Sequence, residues 1–195
     1  MHHFVKRLLI VGLGSIGRRY FRLIRKMYPD MEVILARSGV GPPLPEESIA
    51  KKVVFSIEEA LEYNIDAAII SSPATFHVEQ SIKLLKKGVH LLIEKPVSNN
   101  TKDIDRLVRL ASKSNVKILI GYVLRHDPAA IEFKRRIQSE KIGDLLHVSI
   151  ECGSYLPDWR PGQDYRKTVS ALSNLGGGVL LELSHELDYL RWFFG

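Results

Sequence analysis

Residues 8–17 read Leu-Leu-Ile-Val-Gly-Leu-Gly-Ser-Ile-Gly, an apolar run that passes directly into three glycines. A short apolar run ending at glycine reads as a strand buried on both faces. The stretch after it reads as a helix. Ile16, Tyr20, Leu23, Ile24 and Met27 recur at helical spacing, and Pro29 stops the pattern. A strand that turns through Gly12, Gly14 and Gly17 into a helix has the makings of a phosphate-binding turn. The first glycine permits the tight turn, the second lets a pyrophosphate approach the backbone, and the third lets helix and strand pack closely. Ser15 and Ile16 fall at the helix N-terminus, where backbone amides and the positive end of the helix dipole favour an anion.

Further along, strand and helix signals keep alternating. Strands are predicted at residues 6–11, 32–36, 53–55, 65–71, 89–93 and 116–120. Ser56 with Glu59 three residues later forms a capping box that opens a helix. A helix from about residue 75 closes at Gly88, and Thr101 is expected to cap the next one. Six strands alternating with helices predict an α/β fold, a Rossmann-type doubly wound parallel sheet over residues 1–121. The rhythm then changes. A helix near 128–139, a strand at 145–152, a polar loop and one helix over about 179–194 predict an incomplete α+β second domain over 122–195.

Hydrophobic residues make up 45% of the chain and charged residues 26%, an ordinary balance for a soluble globular protein. The apolar runs are too short to cross a bilayer, so no membrane partner is expected. Lys6 and Arg7 interrupt any signal-peptide core, and Cys152 is the single cysteine; both fit a cytoplasmic protein. The formal charge of +6 gathers in Arg18, Arg19, Arg22, Arg25 and Lys26, and in Lys134, Arg135 and Arg136. Solvated helix faces are the plain reading, and attraction of a phosphorylated ligand is the functional one. No nucleic-acid motif accompanies the charge, so no nucleic-acid partner is expected.

A glycine turn in this setting points to a dinucleotide, NADP or NAD. An acidic residue at the end of the second strand would hold the ribose hydroxyls of NAD. Ala36, Arg37 and Ser38 stand there instead. Arg37 could pair with a 2′-phosphate and Ser38 could donate to it, so NADP is the expected cofactor. Glu94-Lys95-Pro96 follows the fifth strand, at the edge where such sheets bind ligands. A lysine there can polarise a hydroxyl or carbonyl; in isolation, Lys-Pro is more often only a turn. Glu182, His185 and Asp188 recur every third residue, which reads either as an acid–base histidine among carboxylates or as an ion-pair stripe. No metal ligand set is discernible around them.

Taken in order, these elements resemble the Gfo/Idh/MocA family (glucose-fructose oxidoreductase, inositol dehydrogenase and rhizopine catabolism proteins). They are Gly-Leu-Gly-Ser-Ile-Gly at 12–17, Ser-Ser-Pro-Ala-Thr-Phe-His at 71–77 and Glu-Lys-Pro at 94–96. Two more are Gly-Tyr-Val-Leu-Arg-His-Asp-Pro at 121–128 and the stretch from Gly176 to Asp188. The resemblance implies an NAD(P)-dependent oxidoreductase acting on a CH–OH group of a sugar or polyol. It places Ser72, Pro73, His77 and Glu94 near the cofactor, and Lys95 beside both nicotinamide and carbinol. It makes His185 the proton-transfer group, Asp188 a substrate-orienting or supporting catalytic group and Arg125 a residue that holds substrate or bridges domains. In Tyr155-Leu156-Pro157-Asp158-Trp159-Arg160 the resemblance narrows toward a nucleotide-linked or N-acylated sugar, with Trp159 as a platform for it; a core-covering tryptophan is the alternative.

Two departures stand out. The family pattern has an aspartate four residues before the histidine, whereas Glu182 lies three before His185. The chain is also shorter than the family's usual length, whose second domain adds a large open antiparallel sheet and often mediates oligomerisation. Homo-oligomerisation is therefore left open, as is the reading of a non-catalytic dinucleotide-binding regulator or a truncated inactive member.

Overall fold

The computed structural model describes residues 5–139 and 141–195. The chain divides into two compact units, between Gly121 and Tyr122. In the first, six strands form one parallel sheet: β1 (Arg7–Val11), β2 (Glu32–Ala36), β3 (Lys52–Val54), β4 (Ala67–Ile70), β5 (His90–Ile93) and β6 (Ile118–Ile120). Their order is β3-β2-β1-β4-β5-β6, the doubly wound arrangement of the Rossmann fold. The connections carry α1 (Ser15–Met27), α2 (Ile57–Leu61), α3 (Ala74–Leu85) and α4 (Ile104–Lys113). The order reverses between β1 and β4, which leaves a crevice at the carboxyl ends of those two strands.

Strand periodicity accounts for the two core layers. Leu9, Val11, Ile34, Ala36, Ala68, Ile70, Leu91 and Ile93 share one apolar cluster, which also takes in buried residues of α2, α3 and α4. The alternate residues Leu8, Ile10, Val33, Leu35 and Ile69 belong to the other cluster, with Phe21 of α1. Successive side chains of a strand point to opposite faces, so strands apolar at every position need cover on both sides.

Several expectations need correction. The helix read from the spacing of Ile16, Tyr20, Leu23, Ile24 and Met27 forms as α1, but the spacing does not mark its buried face: Phe21 is fully buried, whereas Met27 is 63% exposed and Leu23 also faces outward. The apolar residues of α1 lie on more than one stripe of the helix, and the face carrying Gly17, Tyr20, Phe21 and Ile24 lies against the sheet. Thr101 does not cap α4; Asp103 precedes that helix in a left-handed conformation. Short polar side chains upstream take the local hydrogen bonds instead, with Asn100 Oδ1 accepting from the Lys102 amide at 2.8 Å. The Ser56–Glu59 cap forms, the Ser56 hydroxyl accepting from the Glu59 amide at 3.1 Å.

In the second unit α5 (Pro128–Gln138) begins at Asp127, whose carboxylate accepts from the amides of Ala129 and Ala130. The strand expected at 145–152 is not formed: these residues have no regular structure, and Leu146 is 95% exposed. A strand needs a neighbour for its amides, and none pairs with this segment among the described residues. The single helix expected over 179–194 is two helices, α6 (Val179–Glu182) and α7 (Ser184–Phe194), separated at Leu183. Phe133 of α5 meets Phe193 of α7 edge to face, ring centroids 5.1 Å apart.

The core assignment makes a prediction. Phe21→Ala should lower unfolding free energy by about 3–5 kcal/mol in chemical denaturation, whereas Met27→Ala should change it by less than about 0.5 kcal/mol.

Candidate functional site

The glycine turn lies in the crevice between β1 and β4, and its three glycines face different surroundings. Gly12 has φ +89°, and a Cβ there would lie 2.6 Å from the Ser72 amide nitrogen. A Cβ on Gly17 would lie 2.0 Å from the Gly12 carbonyl oxygen. At Gly14 a Cβ would meet nothing within 4 Å. Two glycines are therefore required by the protein's own packing, and the middle one borders open space at the N-terminus of α1. That turn carries no acidic residue, so nothing in it competes with an anionic ligand. The surroundings of the three glycines fit the backbone of a dinucleotide pyrophosphate.

β4 supplies the opposite wall. The Ser71 hydroxyl, which sequence reasoning overlooked, is buried 3.0 and 2.9 Å from the carbonyls of Val11 and Gly12, and so fixes the glycine turn from below. Its neighbour Ser72 donates instead to Gln80 Oε1 at 2.6 Å. Pro73 precedes α3 as its N-cap residue. His77, expected beside a cofactor, is only 1% exposed. Its Nε2 lies 2.7 Å from the Ser72 carbonyl and its Nδ1 2.9 Å from the Pro96 carbonyl. The ring thereby sits wedged between the loop after β4 and the loop after β5, and as a neutral imidazole it donates to one of the two carbonyls. Burial pushes the imidazole below its ordinary pKa, outweighing the pull of the two carbonyls and of Glu94.

Glu94 and Lys95 leave the end of β5. The Tyr20 hydroxyl of α1 donates to Glu94 Oε1 at 2.5 Å, and Glu94 Oε2 accepts from the Lys95 amide at 3.2 Å. Burial, then the bond to Glu94, raises the Tyr20 pKa, keeping the phenol a donor. Gly121 leaves room for this carboxylate: a Cβ there would lie 2.9 Å from Glu94 Oε1. The Lys95–Pro96 peptide is cis. Lys95 is thus held between Tyr20–Glu94 on one side and His77–Pro96 on the other. Tyr20 carried no sequence signal beyond its place in the helical pattern.

Arg37 follows β2, one residue beyond Ala36, whose carbonyl accepts from the Gly12 amide. Its side chain is 9% exposed and turned into its own loop. Nη1 donates to Glu47 Oε1 and to the Pro42 carbonyl, and Nη2 to the carbonyls of Val40 and Gly41. A guanidinium has five N–H groups, so these four bonds leave only the Nε hydrogen. Ser38 Oγ accepts from the Val40 amide at 3.3 Å. The adjacent Glu46 holds Arg18 at 3.0 Å and Arg22 at 2.7 Å. Part of the basic cluster on α1 is therefore paired internally, as is Arg135 with Arg136 on Glu132.

In the second unit, Arg125 makes a two-pronged ion pair with Asp188, both bonds 2.8 Å. His185 lies on α7 one turn before Asp188, and its ring meets Tyr122 edge to face at 5.6 Å. Glu182 belongs to α6, across the break at Leu183, so the expected stripe is interrupted there. The Trp159 indole donates to Ser154 Oγ at 2.7 Å and is 38% exposed. Among the described residues, no group of three His, Cys, Asp or Glu side chains could hold a metal ion. None of their helices is long and apolar enough to cross a membrane.

A Rossmann sheet with a glycine turn at its switch point defines the class to which the first unit belongs. The chain belongs to the Gfo/Idh/MocA oxidoreductase family: residues 6–122 match its "oxidoreductase family, NAD-binding Rossmann fold" model, and residues 131–195 match a Gfo/Idh/MocA C-terminal domain. It is 26% identical to a myo-inositol 2-dehydrogenase of Thermotoga maritima over 97% of this chain and 55% of that one. A scyllo-inositol dehydrogenase of Lactobacillus casei, solved with NAD(H) and scyllo-inositol, superposes with a TM-score of 0.78 at 22% identity. That match covers 97% of this chain and 56% of the other. The WlbA dehydrogenase of Bordetella pertussis, solved with NADH and UDP-GlcNAcA, gives 0.62 at 22% identity, over 72% and 44%. The chain spans about half the length of the curated relatives it matches.

Two outcomes follow from this geometry. Gly14→Ala should keep stability within about 1 kcal/mol and weaken dinucleotide binding about tenfold or more in a fluorescence titration. The pH dependence of stability should carry a His77 contribution. As pH falls from about 7 to about 5, the unfolded histidine, with its ordinary pKa near 6.5, takes up a proton before the buried one does. Stability should therefore fall over that window, and His77→Gln should flatten the fall in urea titrations; an unchanged slope would contradict the assignment.

Proposed function

We propose that this chain binds a nicotinamide dinucleotide, NAD(H) by preference, for oxidation or reduction at a CH–OH or carbonyl carbon of a sugar or polyol. The observation that carries the reading is the open space at Gly14, between two glycines that internal packing closes. Gly12, Gly14, Ser15, Ile16 and Gly17 would hold the pyrophosphate, and Ser72, Pro73, Glu94 and Lys95 would line the rest of the groove. The bound nicotinamide would supply the hydride chemistry.

Lys95, held by the Glu94 and Pro96 anchors, would polarise the substrate oxygen. His185 would take up or give the hydroxyl proton. Asp188 would keep Arg125 in place for substrate. An indole at Trp159 suits the face of a sugar ring, in keeping with a nucleotide-linked or N-acylated substrate. The NADP preference expected from Arg37 and Ser38 gives way to NAD(H) here, because the arginine is committed to Glu47 and to loop carbonyls.

The test is turnover of inositols, hexoses and UDP-sugars, followed by NADH absorbance, in the parental chain and in Lys95→Ala. The variant should lose about 10²–10⁴ in rate while its NADH affinity stays within about threefold. Parental rates in Lys95→Ala would remove the lysine from the chemistry. Tight NADH binding with no turnover of any substrate in the parental chain would favour a regulator that binds the dinucleotide without using it.

A further inference from the structure

At the end of β2 the sequence offers a cation where an NAD-selective sheet has a carboxylate, yet the structure brings a carboxylate to the same place from elsewhere. It comes from the 3₁₀ turn at Pro45–Ile49, between β2 and β3. Glu47 Oε1 pairs with Arg37 Nη1 and also accepts from the Leu44 amide at 2.8 Å, so the carboxylate is fixed by the turn it belongs to. The neighbouring Glu46 anchors that turn to α1 through Arg18 and Arg22. Both side chains of the Arg37–Glu47 pair are largely shielded, at 9% and 15% exposure.

We propose that Glu47 is a specificity-determining residue that disfavours NADP(H) by occupying the guanidinium a 2′-phosphate would need. The proposal rests on the dinucleotide reading above. A 2′-phosphate arriving at the end of β2 would meet an arginine already neutralised. It would have to displace Glu47 and leave that carboxylate close to its own charge. A ribose with free hydroxyls meets no such conflict. Arg37 thus serves the loop at 38–44, tying the carbonyls of Val40, Gly41 and Pro42 together.

Glu47→Gln is the informative variant. It removes the charge and keeps an oxygen to accept from the Leu44 amide, while the Glu46 anchor is untouched. Fluorescence titrations with NADH and NADPH would be run on the parental chain, Glu47→Gln, Arg37→Met and the double variant, with melting curves confirming that each is folded. The parental chain should prefer NADH. Glu47→Gln should gain about tenfold or more for NADPH, a charge-assisted bond's worth, with NADH affinity unchanged within about twofold. Adding Arg37→Met should erase that gain. An NADPH-to-NADH ratio unaltered by Glu47→Gln overturns the proposal, as does a gain that survives Arg37→Met. A parental preference for NADPH that Arg37→Met abolishes also overturns it. A folded parental chain that binds neither dinucleotide overturns the dinucleotide reading itself, and this proposal with it.

Discussion

Everything in the first unit depends on how closely the start of α1 approaches the end of β1. With a Cβ on Gly17 only 2.0 Å from the Gly12 carbonyl, no other residue fits without moving the helix. That approach sets the helix N-terminus over the switch point of the sheet, where its amides and dipole are available to an anion. It also brings Tyr20 within reach of Glu94, the residue just after β5, and so links the glycine turn to the loop that bears Lys95. Ser71 and His77 complete the frame from β4 and α3. The polar groups around the crevice are largely engaged in holding backbone, which is how a loop-built site acquires fixed geometry.

Electrostatics at this edge are more restrained than the composition suggests. A net charge of +6 with arginines clustered on α1 invites the idea of a phosphate trap. Instead, Glu46 and Glu47, consecutive in one turn, take up Arg18, Arg22 and Arg37. Burial raises the Glu46 carboxyl, but its own amide and the two arginines outweigh that and leave it below the usual range. With those arginines paired, attraction for a pyrophosphate falls to the backbone amides of the glycine turn.

The parallel sheet was legible because its strands are short apolar runs, polar at most at their first residue, and alternate with helix signals, a local pattern that tertiary context only reinforces. Residues 145–152 misled for the opposite reason. Their alternation is a real strand pattern, but a strand exists only with a partner, and a sequence does not say whether one is present. The helix break at Leu183 falls inside an apolar, helix-favouring run with no proline to mark it. In the site, glycines and the Lys-Pro turn could be read because their chemistry is tied to fixed spacing. Tyr20, Ser71 and Glu47 could not, since each acts through a contact with residues distant in sequence or through a turn whose path only the fold sets. Arg37 was legible only in part: its charge is evident in sequence, its pairing with Glu47 only in space.

The central claim is that the crevice between β1 and β4 receives a dinucleotide. Hydrogen–deuterium exchange of the whole chain, with and without saturating NADH, tests it directly. Slowed exchange is expected at the amides of residues 12–17, 71–72, 94–95 and 97, with β3 and the amino ends of the strands unchanged. Protection confined to other surfaces, or none in those three loops when NADH is bound, would contradict it.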